Sequence, residues 1–154
     1  NKKEDGVIHL YTLKDNDQLW QSAKLFEEKF PEYQVVIDVG VSEEDGKTVS
    51  DAIRSLNTEI MAGNGPDIIL MDEPSIALDP KNRRTLIHIL NDFEHLKIIA
   101  SHDLDMILET CNRVILMAGG RIVCDGDTKE ILTNKELLEA NGLELPFCLQ
   151  KPMW

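Results

Sequence analysis

Basic side chains are scarce in this sequence. Lys and Arg number 16 against 28 Asp and Glu, a net charge of −12 over 154 residues. A polyanion is held chiefly by Lys and Arg neutralising its phosphates, so this balance argues against partnership with nucleic acid or an anionic membrane. Residues 1–66 carry 13 acidic and 7 basic side chains and the remainder 15 and 9, so no basic tail or patch stands apart. Cysteine is nearly absent as well. Cys111, Cys124 and Cys148 are odd in number and lack C-x-x-C spacing, which excludes a disulfide framework and a structural zinc site and leaves buried thiols as the expectation. No apolar run approaches the ~18 residues of a membrane span, and no signal peptide opens the chain. A soluble protein is expected, made by recombinant expression in a cytoplasm.

A phosphate-binding loop is also missing. Gly40 to Thr48 follows a strand and precedes a helix, but five residues separate Gly40 from Gly46-Lys47-Thr48 where the motif has four. Glu43, Glu44 and Asp45 would also turn negative charge toward the anion that such a loop binds through its N–H groups.

What is present is strand and helix in alternation. With 42% hydrophobic and 29% charged residues, the chain fits one domain, 1–154, around a single core. Val7 to Tyr11 reads as a buried strand. Leu19, Ala23, Phe26 and Phe30 mark a helix closed by Pro31, and Val35-Val36-Ile37 a β-branched second strand. Val49, Ile53, Leu56 and Ile60 trace a second helix, and Asp67 to Met71 a third strand. Leu86, Ile87, Leu90 and Phe93 give a third helix, Lys97 to Ala100 a fourth strand, and Leu104, Ile107, Leu108 and Cys111 a short fourth helix.

Val114 to Met117 reads as a fifth strand, reversed through Ala118-Gly119-Gly120 into an antiparallel edge strand at Ile122 to Cys124. Thr128 to Leu132 and Lys135 to Ala140 are helical, and 143–154 is extended. Alternation of this kind implies an α/β three-layer sandwich. The expected sheet is doubly wound, mainly parallel and flavodoxin-like, of order 2-1-3-4-5, with the C-terminal antiparallel hairpin beside strand five.

The third strand ends in two carboxylates. Asp72 and Glu73 stand where one can hold a hydrated Mg²⁺ and the other can polarise a water. Ile68 to Ser75 and its continuation to Pro80, then Ser101-His102-Asp103 and Asn112 to Ile122, resemble in that order the Walker B strand, D-loop, H-loop and closing hairpin of an ABC-transporter ATPase. The resemblance covers about 67–150. From 6 to 67 the chain instead resembles the amino-terminal lobe of an extracellular solute-binding protein of the sugar-binding type. Leu25 to Pro31 and Leu56 to Asp67, a helix leading into Gly-x-Gly-Pro-Asp and a strand, carry that likeness.

Together the two resemblances imply an engineered chimera, cut at a strand that both parents share, whose purpose is to fold. The ATPase likeness would make Asp72 the Mg²⁺ ligand, Glu73 the base, His102 the γ-phosphate sensor beside Ser101, and Asp79 part of an interface loop. The family's Leu-Ser-Gly-Gly signature and Q-loop glutamine are missing along with the phosphate loop. Phosphoryl transfer depends on cradle, cation and metal acting together, so no catalysis and no required cofactor are expected.

On that reading Asp72, Glu73 and His102 are vestigial catalytic residues, and Asp79 and Ser101 vestigial nucleotide contacts. Asp72 remains a weak Mg²⁺ candidate, His102 otherwise a histidine at the sheet rim, and Asp79 a turn and cap before a helix starting near Pro80. Two rivals are residual Mg-ATP binding at Asp72, Glu73 and His102, and residual sugar binding at Tyr11, Thr12 and Trp20. No partner is required. A homodimer through the unpaired backbone of the edge strand at Ile122 to Cys124 is the association the pattern allows.

Overall fold

The computed structural model describes residues 6–42, 46–76 and 78–150. Contacts divide the chain into two compact units, Asn1–Ala100 and Ser101–Trp154. The division falls after the fourth strand, and residue 67 lies inside the first unit.

In the first unit β1 (Val7–Lys14), α1 (Asp17–Lys29), β2 (Gln34–Val41), α2 (Val49–Met61), β3 (Ile68–Asp72), α3 (Pro80–Asp92) and β4 (Leu96–Ala100) alternate without exception. The four strands form one parallel sheet of order β2-β1-β3-β4. Asp67 fixes how β3 enters it. Its N–H donates to the carbonyl of His9 at 2.8 Å and its carboxylate accepts the His9 N–H at 2.8 Å, so the strand is clasped to β1 before its first ladder pair, Leu10 with Ile68.

Each helix starts where a side chain accepts its orphan amides. Asn16 takes those of Gln18 and Leu19 for α1, and Thr48 with Asp51 forms a reciprocal capping box for α2. Asp79 takes Lys81 and Asn82 for α3, with Pro80 in the first turn. Right-handed crossovers place α1 on one face of this sheet and α2 and α3 side by side on the other. On the α2–α3 face Ile53, Leu56, Ile69, Met71, Leu86 and Leu90 are fully buried. Each contributes about 1.5–3 kcal/mol by leaving water.

In the second unit α4 (Leu104–Thr110) leads to the antiparallel pair β5 (Arg113–Ala118) and β6 (Arg121–Asp127), then α5 (Thr128–Leu132), α6 (Lys135–Ala140) and a 3₁₀ turn at Phe147–Leu149. Met106, Leu116, Ile131, Leu132 and Leu138 are among its buried side chains. The expected fifth strand of the parallel sheet is therefore corrected. β5 hydrogen-bonds to β6 in a separate two-stranded sheet, and the order is 2-1-3-4 rather than 2-1-3-4-5.

The hairpin itself has a local cause. Gly119 and Gly120 take φ of +56° and +72°, which only glycine adopts freely, so a two-residue turn joins β5 to β6 with little closure entropy. Arg113 and Asp125 then lock the pair through two bonds of 2.8 and 2.6 Å. β6 leaves Ile122 and Val123 exposed. Among the described residues no helix is long and apolar enough to cross a membrane. Cys111 and Cys124 are half-buried but Cys148 is exposed, so the expectation of three buried thiols fails there.

Candidate functional site

The paired carboxylates sit at the carboxyl end of β3, in the first unit. Asp72 is the last strand residue, opposite Ala100 of β4, and is exposed. Alternation along the strand puts it on the face of Ile68 and Leu70, away from buried Ile69 and Met71. Glu73 turns the chain out of the sheet. Its N–H donates to the Ala100 carbonyl at 2.8 Å, adding one more rung, and its φ of +44° is left-handed, at a cost of roughly 1–2 kcal/mol for a residue with a Cβ. Fully buried Pro74 follows, and Ile76 N–H closes a turn on the Glu73 carbonyl at 3.2 Å. The backbone thus changes from extended at Asp72 to left-handed at Glu73 between the two carboxylates.

Asp79 caps α3. Its Oδ1 accepts the N–H groups of Lys81 and Asn82 at 2.9 Å each, and its Oδ2 accepts the Asn82 side-chain amide at 2.6 Å. The Asn82 N–H foremost, with that amide and Lys81, holds its carboxyl below the usual aspartate value. Asn82 also donates to Ser50 of α2 at 2.8 Å, tying the two helix starts together.

Ser101 and His102 belong to the second unit. Ser101 Oγ accepts the Asp103 N–H at 3.0 Å, the exposed His102 gives its carbonyl to Leu104 N–H at 3.0 Å, and Asp103 caps α4 by accepting Met106 N–H at 2.9 Å. The Ser-His-Asp run is a helix start.

Among the described residues no group of three or more His, Cys, Asp or Glu side chains converges as a metal site. Asp72 therefore offers a metal one carboxylate, and a Mg²⁺ held that way keeps most of its waters and takes its remaining ligands from substrate phosphates.

The glycine-containing stretch 40–48 begins inside β2 and does other work. Gly40 is the space for a ring: a Cβ there would lie 2.2 Å from the hydroxyl of Tyr11. Thr48, whose hydroxyl a phosphate loop would present, caps α2 and bonds to Asp51 at 2.6 Å. Residues 43–45, the three acids, lie outside the described residues.

The proposed sugar contacts part company too. Tyr11 and Thr12 are each only 6% exposed. Burial first, then Glu59 and Asp38, pushes the Tyr11 phenol up to about 12, and Thr12 donates to the Lys14 carbonyl at 3.0 Å. Trp20 is exposed on α1 with its indole N–H on Asp15 at 2.7 Å. A tyrosine in a strand gives no sign of which face it takes. Gly40, two residues beyond its ladder partner Asp38, was the available signal.

No family model matches the chain. A putative ABC transporter ATP-binding protein of Gloeobacter violaceus is 49% identical over 84 residues, 54% of this chain and 34% of that protein. Another, of Geobacter sulfurreducens, is 49% identical over 85 residues, 55% and 34% respectively. The energy-coupling factor transporter ATP-binding protein EcfA of Carboxydothermus hydrogenoformans is 42% identical over 88 residues, 55% and 32%. None of the three is a solute-binding protein by name. A solved ATP-binding cassette dimer in a post-hydrolysis state overlaps 74% of this chain and 49% of that one at 18% identity, with a TM-score of 0.43 too low to assign a fold. The chain spans about a third of the length of the curated relatives it matches. Over about half of its own length it is homologous to ABC transporter ATP-binding proteins.

Proposed function

We propose that the chain is an engineered fusion of a solute-binding-lobe fragment, about 6–67, with the carboxyl-terminal part of an ABC ATPase, about 67–150, and that it folds without hydrolysing or transporting anything. The observation that carries this reading is the position of β3. It is hydrogen-bonded in parallel register to β1 on one side and β4 on the other, so one strand joins the two stretches within one sheet. The matches to ATP-binding proteins span 84 to 88 residues, about half of this chain.

What surrounds the carboxylates supports the proposed absence of catalysis. Asp72 and Glu73 stand without a phosphate loop of the required spacing, and Gly40 and Thr48, which a loop of that kind would use, serve the Tyr11 ring and the α2 cap. Calorimetric titration of the purified chain with Mg-ATP tests it. Binding no tighter than about 1 mM is expected. Micromolar binding that Asp72→Ala abolishes would replace the scaffold reading with a nucleotide-binding one.

A further inference from the structure

Among the described residues of the second unit, those after α6 form a strap across α4. Leu143 N–H bonds to the Leu138 carbonyl at 2.9 Å as α6 ends, and the chain then runs through fully buried Pro146 into the 3₁₀ turn, which packs on α4. There one carboxylate takes two consecutive amides. Asp105 Oδ2 accepts the N–H of Phe147 and Oδ1 that of Cys148, both at 2.9 Å, across more than 40 residues of sequence. Within the strap, Leu149 N–H bonds to Pro146 and Gln150 N–H to Phe147 on the backbone, and the Gln150 amide to Leu145. Phe147 itself is 80% exposed, so its ring does not hold the turn down.

We propose that Asp105 is the latch of an acid-released strap, whose charged carboxylate keeps the 3₁₀ turn on α4 and whose protonation or replacement lets residues 144–150 lift while the rest of the unit stays folded. A carboxylate accepts from two amides through two oxygens, and a protonated carboxyl or an amide turns one of those acceptors into a donor. Buried Pro146 then loses its cover and an apolar contact opens.

The electrostatics agree with the geometry. Partial burial raises the Asp105 carboxyl, but the Cys148 and Phe147 donors outweigh it and leave the group below the usual aspartate value, with Asp103 on the same stretch opposing them. The latch is therefore complete at neutral pH and is lost as pH falls through that lowered value. In turn the Asp105 carboxylate foremost, then burial and Glu109, pushes the Cys148 thiol above its usual value, so the latch lowers the thiolate fraction of an exposed cysteine. The other charges on packed elements are Lys129 and Glu130 on α5 and Glu144 on the strap.

Amide hydrogen exchange on the full chain, wild type against Asp105→Asn, tests the latch. The Phe147 and Cys148 amides are expected to exchange at least about tenfold faster in the variant, while the Cys111 amide at the end of α4 keeps its protection. Alkylation of Cys148 at pH 8 should accelerate in parallel, with Cys111 and Cys124 unchanged. If Asp105→Asn unfolds the unit, the wild type still decides. Its Phe147 and Cys148 amide resonances should titrate together in acid with one midpoint below the ordinary carboxylate range. Unchanged exchange in a folded variant, or flat titration curves in the wild type, would overturn the proposal.

Discussion

The two faces of the four-stranded sheet are packed very differently. Under α2 and α3, Ile69 and Met71 of β3 are sealed, and the helices answer with Ile53, Leu56, Leu86 and Leu90, all fully buried. Over the opposite face α1 has no buried residue, and Leu96 and Ile98 of β4 are 55% and 50% exposed. The sequence makes both faces of β3 apolar until Asp72, as a strand covered on both sides should be, and on β4 the face of Leu96, Ile98 and Ala100 is apolar too. Helix supply makes the difference. α2 and α3 come from opposite sides of residue 67, yet they share one core and the Ser50–Asn82 bond, so the stability of the sheet resides on the face where the two stretches meet.

The largest expected effect is a core deletion on the sealed face. Leu90→Ala should cost about 2–5 kcal/mol, transfer plus cavity, and Ile98→Ala on the open face less than about 1 kcal/mol, since half of that side chain is in water already. Urea unfolding of both variants checks the comparison, and equal losses would show that the open face is covered in solution.

A smaller effect probes the same sealed face from the strand side. Gly40→Ala drives a methyl into Tyr11, 2.2 Å from the hydroxyl oxygen, 2.9 Å from the ring carbon that bears it and 3.1 Å from Cβ of Ala52. Overpacking of this kind costs about 1–3 kcal/mol. Adding Tyr11→Phe should recover part of the loss, because the nearest contact goes and the ring carbon remains. A double variant no more stable than Gly40→Ala alone would show that the clash is relieved by backbone movement instead.

Much of this architecture was legible. The 3.6-residue stripes of α1, α2 and α3 and the apolar strands between them stand where the spacing puts them, and order 2-1-3-4 follows from right-handed crossovers between neighbours. β5 was not legible as a hairpin strand alone. Val114 to Met117 is as apolar as β3, and periodicity says that a segment is a strand without saying which edge it joins. The two-glycine turn announced the pairing of β5 with β6 and says nothing of whether the other edge of β5 meets β4.

At the candidate site the carboxylate pair at the end of β3 was legible, because apolar run and charge change at one residue. The left-handed Glu73 was not, since no glycine or asparagine announces it. Tyr11 at the end of a buried strand reads equally as a sugar contact, because an aromatic face and a hydroxyl suit carbohydrate, and the ring's burial against Gly40 decides against it.

The smallest effect compares the caps of the two faces. Asn16→Ala and Asp79→Ala each free the first amides of a 13-residue helix, α1 over the open face and α3 over the sealed one. The melting temperature at neutral pH should fall for both and fall further for Asp79→Ala, because α3 is anchored in the core and Asp79 also orients the Asn82 side chain that reaches Ser50.

Acid separates them. The Asp79 carboxyl lies below the usual aspartate value in the folded chain, so its contribution is present above the ordinary carboxylate range and is lost as pH falls through the lowered value. Asn16 has no charge to lose, and its contribution persists. The gap between wild type and Asp79→Ala should therefore narrow toward pH 2.5 while the gap to Asn16→Ala stays open, as melting curves at the two pH values would report. A gap to Asp79→Ala that widens in acid would mean that the carboxylate opposes α3 instead of capping it, and the packed face would then draw nothing from its helix start.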